Sequence, residues 1–459
     1  MTLFGTAGIR GPVEDRVTPE LAMAVGRAAG RDGDDFVVAR DGRETGAALA
    51  AAMEAGLESA GATVARAGQL PTPALAFASQ ERRGVMLTAS HNPPADNGIK
   101  LFADGVEYDR DAEHRVEARV ADETAAVAWD EWGDGFRESV LGTYRDAVAD
   151  YARDLVSETG DSAADPLAGL RVAVDCGNGM ASIATPQVLR ELGGEVVALN
   201  ANVDGHFPGR PSKPTPETLT DFVRFLESND FHLGLAHDGD ADRIVVVTGD
   251  GEVVHEDTVL AILAGYYAGQ SDAADPVVVT TPNASARIDE HVSEAGGRVE
   301  RVRLGALHEG IARERAAGGD GTEVVFAAEP WKHVHTAFGG WIDGVASAAV
   351  VSALVADAGG LAPLRAPISE RPYRKVSVDC PDDAKEAAMD RLATTLPEAF
   401  PDASVDTDYG VRIDLTDGSW VLVRPSGTEP YVRVYAESDD VDELVDEATG
   451  IVERAVEAA

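Results

Sequence analysis

Apolar and polar positions alternate along the chain in a pattern that occurs three times. Each copy has a run of β-branched residues, a polar turn, a helix-like stretch, a glycine and a second apolar run; the copies occupy 37–64, 172–197 and 277–299. A strand, a helix and a second strand over this distance are typical of a βαβ unit, which produces parallel strands with helices on the faces of the sheet. The pattern therefore predicts three similar α/β domains with mixed, mainly parallel sheets.

The last part of the chain follows a different pattern. It predicts strands at 375–379, 411–415, 420–423 and 431–436, and helices at 383–396 and 441–458. Asp417-Gly418 is a favourable hairpin turn between the two central strands. We therefore expect a smaller α+β domain at 365–459, after α/β domains I, II and III at 1–153, 154–256 and 257–364.

The charge of the chain limits its partners. Its 459 residues include 39 Lys and Arg against 80 Asp and Glu, which gives a formal net charge of −41. Such a field repels nucleic acid and anionic membrane surfaces, so we expect neither as a partner. Lysine occurs only at 100, 213, 332, 375 and 385. An excess of acid with little lysine suggests adaptation to concentrated salt, where self-repulsion is screened; loss of structure in millimolar salt is the expected signature.

The remaining composition indicates a soluble cytoplasmic protein. Cys176 and Cys380 are too few and too distant for a disulfide framework. The first residues lack the basic and apolar regions of a secretory signal. The most apolar stretches, 258–268 and 345–356, are shorter than the roughly 18 residues that would indicate a membrane-spanning helix.

The loop Thr88-Ala89-Ser90-His91-Asn92-Pro93 is the most specific candidate for chemistry. It presents a hydroxyl that neighbouring donors could activate, although a serine turn closed by Asn-Pro would have the same sequence. A Ser-His-Asp hydrolase is less natural, because adjacent serine and histidine side chains seldom meet in the geometry of nucleophile and base.

The second candidate is Asp238-Gly239-Asp240-Ala241-Asp242-Arg243, which follows the apolar run 233–236. Three carboxylates at alternate positions can converge on a hard cation if the backbone curls, and oxygen ligands favour Mg²⁺ or Ca²⁺. An EF-hand is excluded, since Arg243 and Gly249 stand where that loop needs Gly and Glu. A chance cluster among 80 acids is the alternative.

Three further segments suit anions or sugars. Arg424-Pro425-Ser426-Gly427-Thr428, with Arg433, could form a phosphate cradle or a plain turn. Arg10, among the glycines of 5–11, could steer an anion. Glu329-Pro330-Trp331-Lys332-His333 could bind a sugar through hydrogen bonds and stacking, or its aromatic residue could simply pack in the protein interior.

The Gly-rich segment 176–182 resembles a dinucleotide-binding turn only in part, because Ser182 and Asn200 replace the glycine and the acidic residue that such a turn requires.

Four of these segments, in this order, resemble the α-D-phosphohexomutase superfamily: 5–11, Ser90–Pro93, Asp238–Arg243 and Arg424–Thr428. The resemblance implies four domains around a central cleft. It also implies an isomerase that moves a phosphoryl group between the 6- and 1-positions of a hexose phosphate. Ser90 would be carried as phosphoserine, and a hexose bisphosphate would be the activating intermediate.

The resemblance also implies roles for individual residues. One Mg²⁺ would be held by Ser90, Asp238, Asp240 and Asp242, with His91 and Lys100 as acid/base candidates. The residues that would bind substrate are Arg10, Arg243, Glu329, Lys332, His333, Arg424, Ser426, Gly427, Thr428 and Arg433. Because the substrate is an anion in an acidic chain, we expect Mg²⁺, the arginines and a charged His91 to reverse the field locally.

The sugar segment departs from the usual Gly-Glu-x-Ser-Gly-His. Trp331 and Lys332 replace the Ser-Gly pair, a form that looks like archaeal members labelled phosphoglucosamine mutase, and this is our predicted activity. Lys332 beside a cationic amino sugar argues against it, and phosphomannomutase or phosphoglucomutase is the close alternative. A metal-dependent sugar phosphatase and a non-catalytic sugar-phosphate binding protein are the alternatives from other classes. We expect a monomer or homodimer.

Overall fold

The structure, a computed structural model, describes residues 3–5, 8–157, 165–426 and 429–459. Contacts between its residues divide the chain into two compact units. The first unit comprises 1–256 with 331–364, and the second comprises 257–330 with 365–459. Among the described residues, no helix has both the length and the apolar character needed to cross a membrane. Both cysteines are buried and free.

The first unit begins with a mixed sheet. Its elements are β1 (Ile9–Pro12), α1 (Pro19–Ala29), β2 (Asp35–Arg40), α2 (Gly46–Glu58), β3 (Thr63–Gln69), α3 (Thr72–Ala78), β4 (Arg83–Leu87), β5 (Asp96–Ala103), β6 (Val106–Glu107), α4 (Arg110–Ala121), β7 (Gly135–Arg137) and α5 (Leu141–Ser157). The strand order is β1-β5-β4-β2-β3-β7, with β6 beside β5. The pairs β2–β3, β2–β4 and β3–β7 are parallel, and β5 is antiparallel to its neighbours.

A second sheet in this unit carries the acidic loop. Its elements are β8 (Arg171–Asp175), a short 3₁₀ helix (Met180–Ile183), α6 (Thr185–Glu191), β9 (Glu195–Leu199), α7 (Thr220–Glu227), β10 (Leu233–His237) and β11 (Ile244–Thr248), with strand order β11-β10-β8-β9. The strands β10, β8 and β9 are parallel, and β11 returns antiparallel to β10. The turn between β10 and β11 is residues 238–243, so the sheet places this loop at the carboxyl end of β10.

The second unit contains the third βαβ pattern. Its first elements are α8 (Glu256–Gln270), β12 (Asp275–Thr280), α9 (Ala286–Glu294), β13 (Arg298–Arg301), α10 (Leu307–Ala317) and β14 (Thr322–Glu329), and β12 pairs in parallel with both β13 and β14. The chain then returns to the first unit as β15 (Lys332–Val334) and α11 (Gly344–Asp357), which packs against α5 and α6. The short α12 (Leu361–Arg365) follows. The three predicted βαβ units are thus confirmed as β2-α2-β3, β8-α6-β9 and β12-α9-β13.

The C-terminal part is an antiparallel sheet covered by helices, as the sequence predicts. Its elements are β16 (Tyr373–Asp379), α13 (Lys385–Ala399), β17 (Ser404–Asp406), β18 (Val411–Asp414), β19 (Trp420–Pro425), β20 (Tyr431–Glu437) and α14 (Val441–Glu457), with strand order β16-β20-β19-β18-β17. The inward side chains of the sheet and of α13 and α14 form one apolar core. The loop between β19 and β20 contains the predicted phosphate cradle.

Two buried arginines join this sheet to the preceding α/β elements of the same unit. Arg287 lies 3.1 Å from Glu437 Oε1, and both side chains are almost fully buried. Arg412 donates to the carbonyl oxygens of Pro282 and Ala284 at 2.6 and 3.0 Å. A buried guanidinium that loses its partner is strongly destabilising, so these bonds fix the contact between the two parts.

Candidate active site

Ser90 lies in the loop between β4 and β5. Its φ of 51° is in the left-handed region, which is uncommon for a residue with a side chain. The side chain is fully buried, and Oγ donates a 2.8 Å hydrogen bond to Asp238 Oδ2. The loop therefore directs the hydroxyl at the acidic loop and not at solvent.

His91 also approaches the serine hydroxyl. Its Nδ1 lies 3.3 Å from Ser90 Oγ, which is closer than we expected for adjacent residues. Burial, and then the charges of Arg243 and Arg10, lower the pKa of His91 to about 2. The imidazole is therefore neutral at pH 7 and available as a hydrogen-bond acceptor. The expectation that His91 adds positive charge to the site is wrong, because the surrounding cations already disfavour its charged form.

The acidic loop brings its three aspartates together. Asp238, Asp240 and Asp242 are all buried, and each offers a carboxylate oxygen within 4.8 Å of the others. Ala241 adopts a φ of 61°, which curls the backbone in the way the spacing requires. Gly239 allows the loop to meet the serine loop, because a Cβ there would lie 2.6 Å from the carbonyl oxygen of Ser90.

The chemistry of this cluster fits a divalent cation. Asp240 Oδ1 and Asp242 Oδ1 are buried without a hydrogen-bond partner among the described residues. Burial, and then the charges of Asp242 and Asp240, raise the pKa of Asp238 well above its usual range. Such a crowded set of carboxylates calls for a counter-charge, and a hard cation such as Mg²⁺ suits ligands that are all oxygen.

Lys100 on β5 lies beside these carboxylates. Its Nζ is 3.0 Å from Asp242 Oδ2 and 3.4 Å from Glu107 Oε1. Burial lowers the pKa of Lys100, but the charges of Asp242 and Glu107 outweigh it, and the pKa lies above its usual value. Lys100 is therefore a buried ammonium group and a hydrogen-bond donor. Glu107 was not predicted, since nothing in its own sequence context distinguishes it from other acids.

Arginines supply the remaining positive charge around the serine. Arg243 Nε is 3.7 Å from both Asp238 Oδ2 and Asp242 Oδ1. The Nε atoms of Arg243 and Arg10 are buried and have no hydrogen-bond partner in the described part of the chain. A buried Nε donor that makes no hydrogen bond is suited to bind an anion, so the predicted phosphate contacts are chemically reasonable at these two residues.

Trp331 stands where the usual sugar segment has a small serine, and its large side chain anchors the segment. The ring packs against the core of the second sheet, and Lys213 Nζ lies 6.0 Å from its centroid. Its carbonyl oxygen accepts a 3.1 Å hydrogen bond from Ile244 N, at the start of β11. Trp331 thereby fixes the segment beside the acidic loop. Lys332 follows at the start of β15, and its role as a sugar contact stays a prediction.

His333 is buried behind this segment. Only 1% of the residue is exposed, and Nδ1 lies 3.0 Å from Ser347 Oγ. Burial lowers the pKa of His333 to about 3, so the ring is neutral. A substrate role for His333 stays a prediction.

The other predicted substrate residues belong to the second unit. Glu329, at the end of β14, accepts a hydrogen bond from Gly305 N. Arg424 donates to the hydroxyl of Tyr435 at 2.8 Å, and Arg433 donates to that of Tyr431 at 2.6 Å. The Nε atoms of both arginines are buried without a partner among the described residues. Gly427 and Thr428 lie outside the described residues.

Ser426 and an unpredicted lysine shape the same loop. Ser426 donates its N–H to the carbonyl oxygen of Tyr431 at 2.9 Å, and its Oγ accepts from Glu429 N at 3.2 Å. Lys385 Nζ donates to the carbonyl oxygens of Ser426 and Glu429 at 2.7 and 2.6 Å. Lys385 Nζ also forms a 2.6 Å ion pair with Asp382 Oδ1, but its two contacts with this loop are backbone atoms from a distant part of the sequence, which is why no local pattern identified it.

Four of the five lysines of the chain lie at these two sites. Lys100, Lys213 and Lys332 surround the serine and the acidic loop, where Lys213 also lowers the pKa of His91. Lys385 holds the phosphate loop, and Lys375 lies 5.6 Å from the ring of Tyr435, which Arg424 contacts. Only Lys100 and Lys332 were assigned to a site from the sequence.

The Gly-rich segment 176–182 has a supporting role. Met180 N donates to the carbonyl oxygen of Gly239 at 2.9 Å, and a Cβ on Gly179 would lie 2.6 Å from the same oxygen. This segment therefore packs directly beneath the acidic loop. Its glycines serve close backbone contact, in agreement with the interpretation that it is not a dinucleotide turn.

Known proteins are similar in sequence to this chain along its whole length. Family models match three regions, described as phosphoglucomutase/phosphomannomutase α/β/α domain I (residues 1–127), α/β/α domain II (149–251) and C-terminal domain (376–454). A phosphopentomutase of Thermococcus kodakarensis is 41% identical over 100% of this chain and 99% of its own. A probable phosphoglucosamine mutase of Methanopyrus kandleri is also 41% identical, over 99% of this chain and 98% of its own.

Solved structures agree with these matches. A phosphoglucomutase/phosphomannomutase family protein of Burkholderia thailandensis has a TM-score of 0.84 at 26% identity and covers 100% of this chain and 97% of its own. An Aspergillus fumigatus N-acetylphosphoglucosamine mutase, in complex with GlcNAc-6P and magnesium, shares the fold with a TM-score of 0.60 at 16% identity, covering 99% and 96%. With full-length relatives at 41% identity, the chain belongs to the phosphoglucomutase/phosphomannomutase family of the α-D-phosphohexomutase superfamily, and it is a phosphomutase.

Proposed function

We propose that this phosphomutase interconverts the 6- and 1-phosphates of glucosamine, with Ser90 as the phosphoryl carrier. The observation that carries the proposal is the 2.8 Å hydrogen bond from the buried Ser90 Oγ to Asp238, inside a group of three carboxylates and two arginines. Phosphoserine would transfer its phosphoryl group to a sugar hydroxyl, which breaks the Oγ–P bond and forms a bisphosphate. The other phosphate of that bisphosphate would then return to Ser90.

The residues around Ser90 suit this exchange. Asp238, Asp240 and Asp242, with an oxygen of the serine phosphate, would hold one Mg²⁺. The bound ion would supply neutralisation of charge on the transferring phosphoryl group. The Nε atoms of Arg243 and Arg10 are buried and make no hydrogen bond among the described residues, and these donors would hold the phosphate. His91 Nδ1, 3.3 Å from Ser90 Oγ, would accept from it, and the ammonium group of Lys100 would donate to the reacting oxygen.

The residues of the other predicted motifs would bind the rest of the ligand. Glu329 would accept hydrogen bonds from sugar hydroxyls. The unpaired Nε atoms of Arg424 and Arg433 support binding of the phosphate that is not reacting, together with Ser426, Gly427 and Thr428 of the same motif. Lys332 and His333 complete the proposed sugar contacts.

We also propose that the enzyme acts in the cytoplasm and needs a hexose bisphosphate to charge Ser90. We expect it to be a monomer or homodimer, and light scattering after size-exclusion chromatography distinguishes these two assemblies.

The choice of glucosamine depends on relatives and on one charge argument. Several full-length relatives are named probable phosphoglucosamine mutase. The argument against this choice is the repulsion expected between the ammonium group of Lys332 and the amino group of the sugar. A pentose phosphate is the second candidate, since the Thermococcus relative named phosphopentomutase is 41% identical over its whole length.

A substrate panel separates these candidates. With Mg²⁺ and a catalytic amount of glucose 1,6-bisphosphate, we expect kcat/KM for glucosamine 6-phosphate to exceed that for mannose, glucose and ribose phosphates about tenfold or more, the effect of one matched polar group. Initial rates at high KCl provide the measurement, with Ser90→Ala as the blank. If kcat/KM were highest with ribose phosphate, the proposed substrate would be a pentose phosphate and not glucosamine phosphate.

A further inference from the structure

The guanidinium of Arg43 has all five of its N–H groups engaged. The side chain is fully buried, and Nε donates to Asp41 Oδ2 at 3.0 Å. The other four donors reach backbone carbonyl oxygens of one loop, those of Pro93 (2.6 Å), Asp96 (2.9 Å), Ser90 (2.9 Å) and Asn92 (2.8 Å). Arg43 therefore binds the loop that carries Ser90 along most of its length.

Both backbone groups of Ser90 are tied to the Asp41–Arg43 pair. The Ser90 carbonyl oxygen accepts directly from Arg43 Nη2. The Ser90 N–H donates to Thr88 Oγ1 at 2.9 Å, and that hydroxyl donates to Asp41 Oδ2 at 2.7 Å. A left-handed conformation at a serine persists only where the surroundings enforce it, and these bonds provide that constraint.

The same guanidinium is linked to the acidic loop. Arg43 lies over the ring of Phe207, 5.2 Å from its centroid. The ring of Phe207 packs against Gly239, where a Cβ would come within 3.3 Å of it, and Gly239 also abuts the Ser90 carbonyl. The position of Arg43 thus relates the serine loop to the aspartates that face Ser90 Oγ.

We propose that Arg43 is a positioning residue for phosphoryl transfer, which holds Ser90 in the left-handed conformation from which Oγ faces Asp238. The proposal depends on the proposed role of Ser90 as phosphoryl carrier. A lysine cannot replace Arg43 in this role. It has three donors on one nitrogen and lacks the planar fork that reaches four carbonyl oxygens at once.

The test is Arg43→Lys, which keeps the positive charge beside Asp41. Misplacement of a reacting group by about 1 Å costs about 100-fold in rate. We expect the rate at which glucose 1,6-bisphosphate charges Ser90, followed by intact-protein mass spectrometry, to fall by about this factor. KM for the sugar phosphate should change less than threefold, since Arg43 does not face the substrate. In the EDTA-treated phosphoprotein, the ³¹P resonance of phosphoserine should broaden or split.

The matched control is Arg287→Lys, the same change at a buried arginine of the other unit. It should lower the melting temperature yet leave Ser90 charging and the ³¹P resonance unchanged. If Arg43→Lys does not fold, Thr88→Val removes the hydroxyl that accepts from Ser90 N–H and that also lies 3.3 Å from Asp240 Oδ2. The loss of about one hydrogen bond should slow charging about tenfold.

Wild-type charging and an unchanged ³¹P resonance in Arg43→Lys or Thr88→Val, with a melting temperature lowered as in the control, would overturn the proposal. That result would give Arg43 a purely structural role. Failure of the proposed function itself is recognised separately, because Ser90→Ala would then retain turnover whatever Arg43 does.

Discussion

Replacing Ser90 with alanine is expected to lower kcat by about 10⁴-fold or more, the scale of effect found when a covalent nucleophile is removed. The side chain is fully buried and its hydroxyl donates to Asp238, whereas the hydroxyls of Thr72 and Thr88 lie beside Asp240. Intact-protein mass spectrometry should find one phosphate on the wild-type chain after incubation with glucose 1,6-bisphosphate and none on the variant. The melting temperature should change little, since only one oxygen atom is lost.

Ser352→Ala is the control for this prediction. Ser352 is also fully buried, lies on α11 in the same unit, and its hydroxyl has no hydrogen-bond partner among the described residues. It should retain wild-type turnover and the phosphate. Ser90→Ala activity above about 1% of wild type would contradict covalent carriage by this serine. Release of labelled phosphate from the enzyme into solution, and not into sugar phosphate, would instead indicate a phosphatase.

Removal of divalent metal is the second prediction with a large expected effect. EDTA treatment should abolish transfer and Mg²⁺ should restore it, because a bound ion contributes several kcal/mol to stabilising charge on the phosphoryl group. Mg²⁺ should also raise the melting temperature of the treated protein. The stabilisation follows RT ln(1 + [L]/Kd), about 2.7 kcal/mol at 100 times Kd.

Asp240→Asn provides the matched comparison. One oxygen of Asp240 accepts from Thr72 Oγ1 at 2.6 Å, and the other is buried without a partner among the described residues. Asparagine keeps the shape and can keep the first bond, so folding should survive while the Mg²⁺-dependent rise in melting temperature is largely lost. If Mg²⁺ changed neither the melting temperature nor the activity of the wild-type protein, that result would argue against a metal site here.

The regular parts of the fold follow from the sequence because they have local causes. The three βαβ units are found where the apolar runs and closing glycines predict them, and the C-terminal hairpin turns at Asp417-Gly418. Several strands were not predicted, and the reason is clearest for the short strands β7 and β17. Each has only three residues and partly or fully exposed side chains, so neither produces an apolar run. The boundaries of the four predicted domains stay a prediction, because contacts between residues divide the chain into two larger units.

The candidate site is predictable only where side chains carry the chemistry. Ser90 and the three aspartates form local patterns, and the structure brings them together. Arg43 acts on backbone carbonyl oxygens some fifty residues further along, which leave no trace in residue type. The protonation of His91 likewise depends on burial and on arginines from distant segments.

The position of the lysines has a practical consequence. Arginines occur throughout both units, whereas four of the five side-chain amines lie beside the serine loop, the acidic loop or the phosphate loop, and the fifth, that of Lys375, lies against Tyr435. A reagent specific for amines therefore finds most of its side-chain targets at the two proposed anion-binding regions. The extent of mild acylation at each lysine, measured with and without bisphosphate, would therefore report ligand binding, because the rest of the surface carries no lysine to react except Lys375.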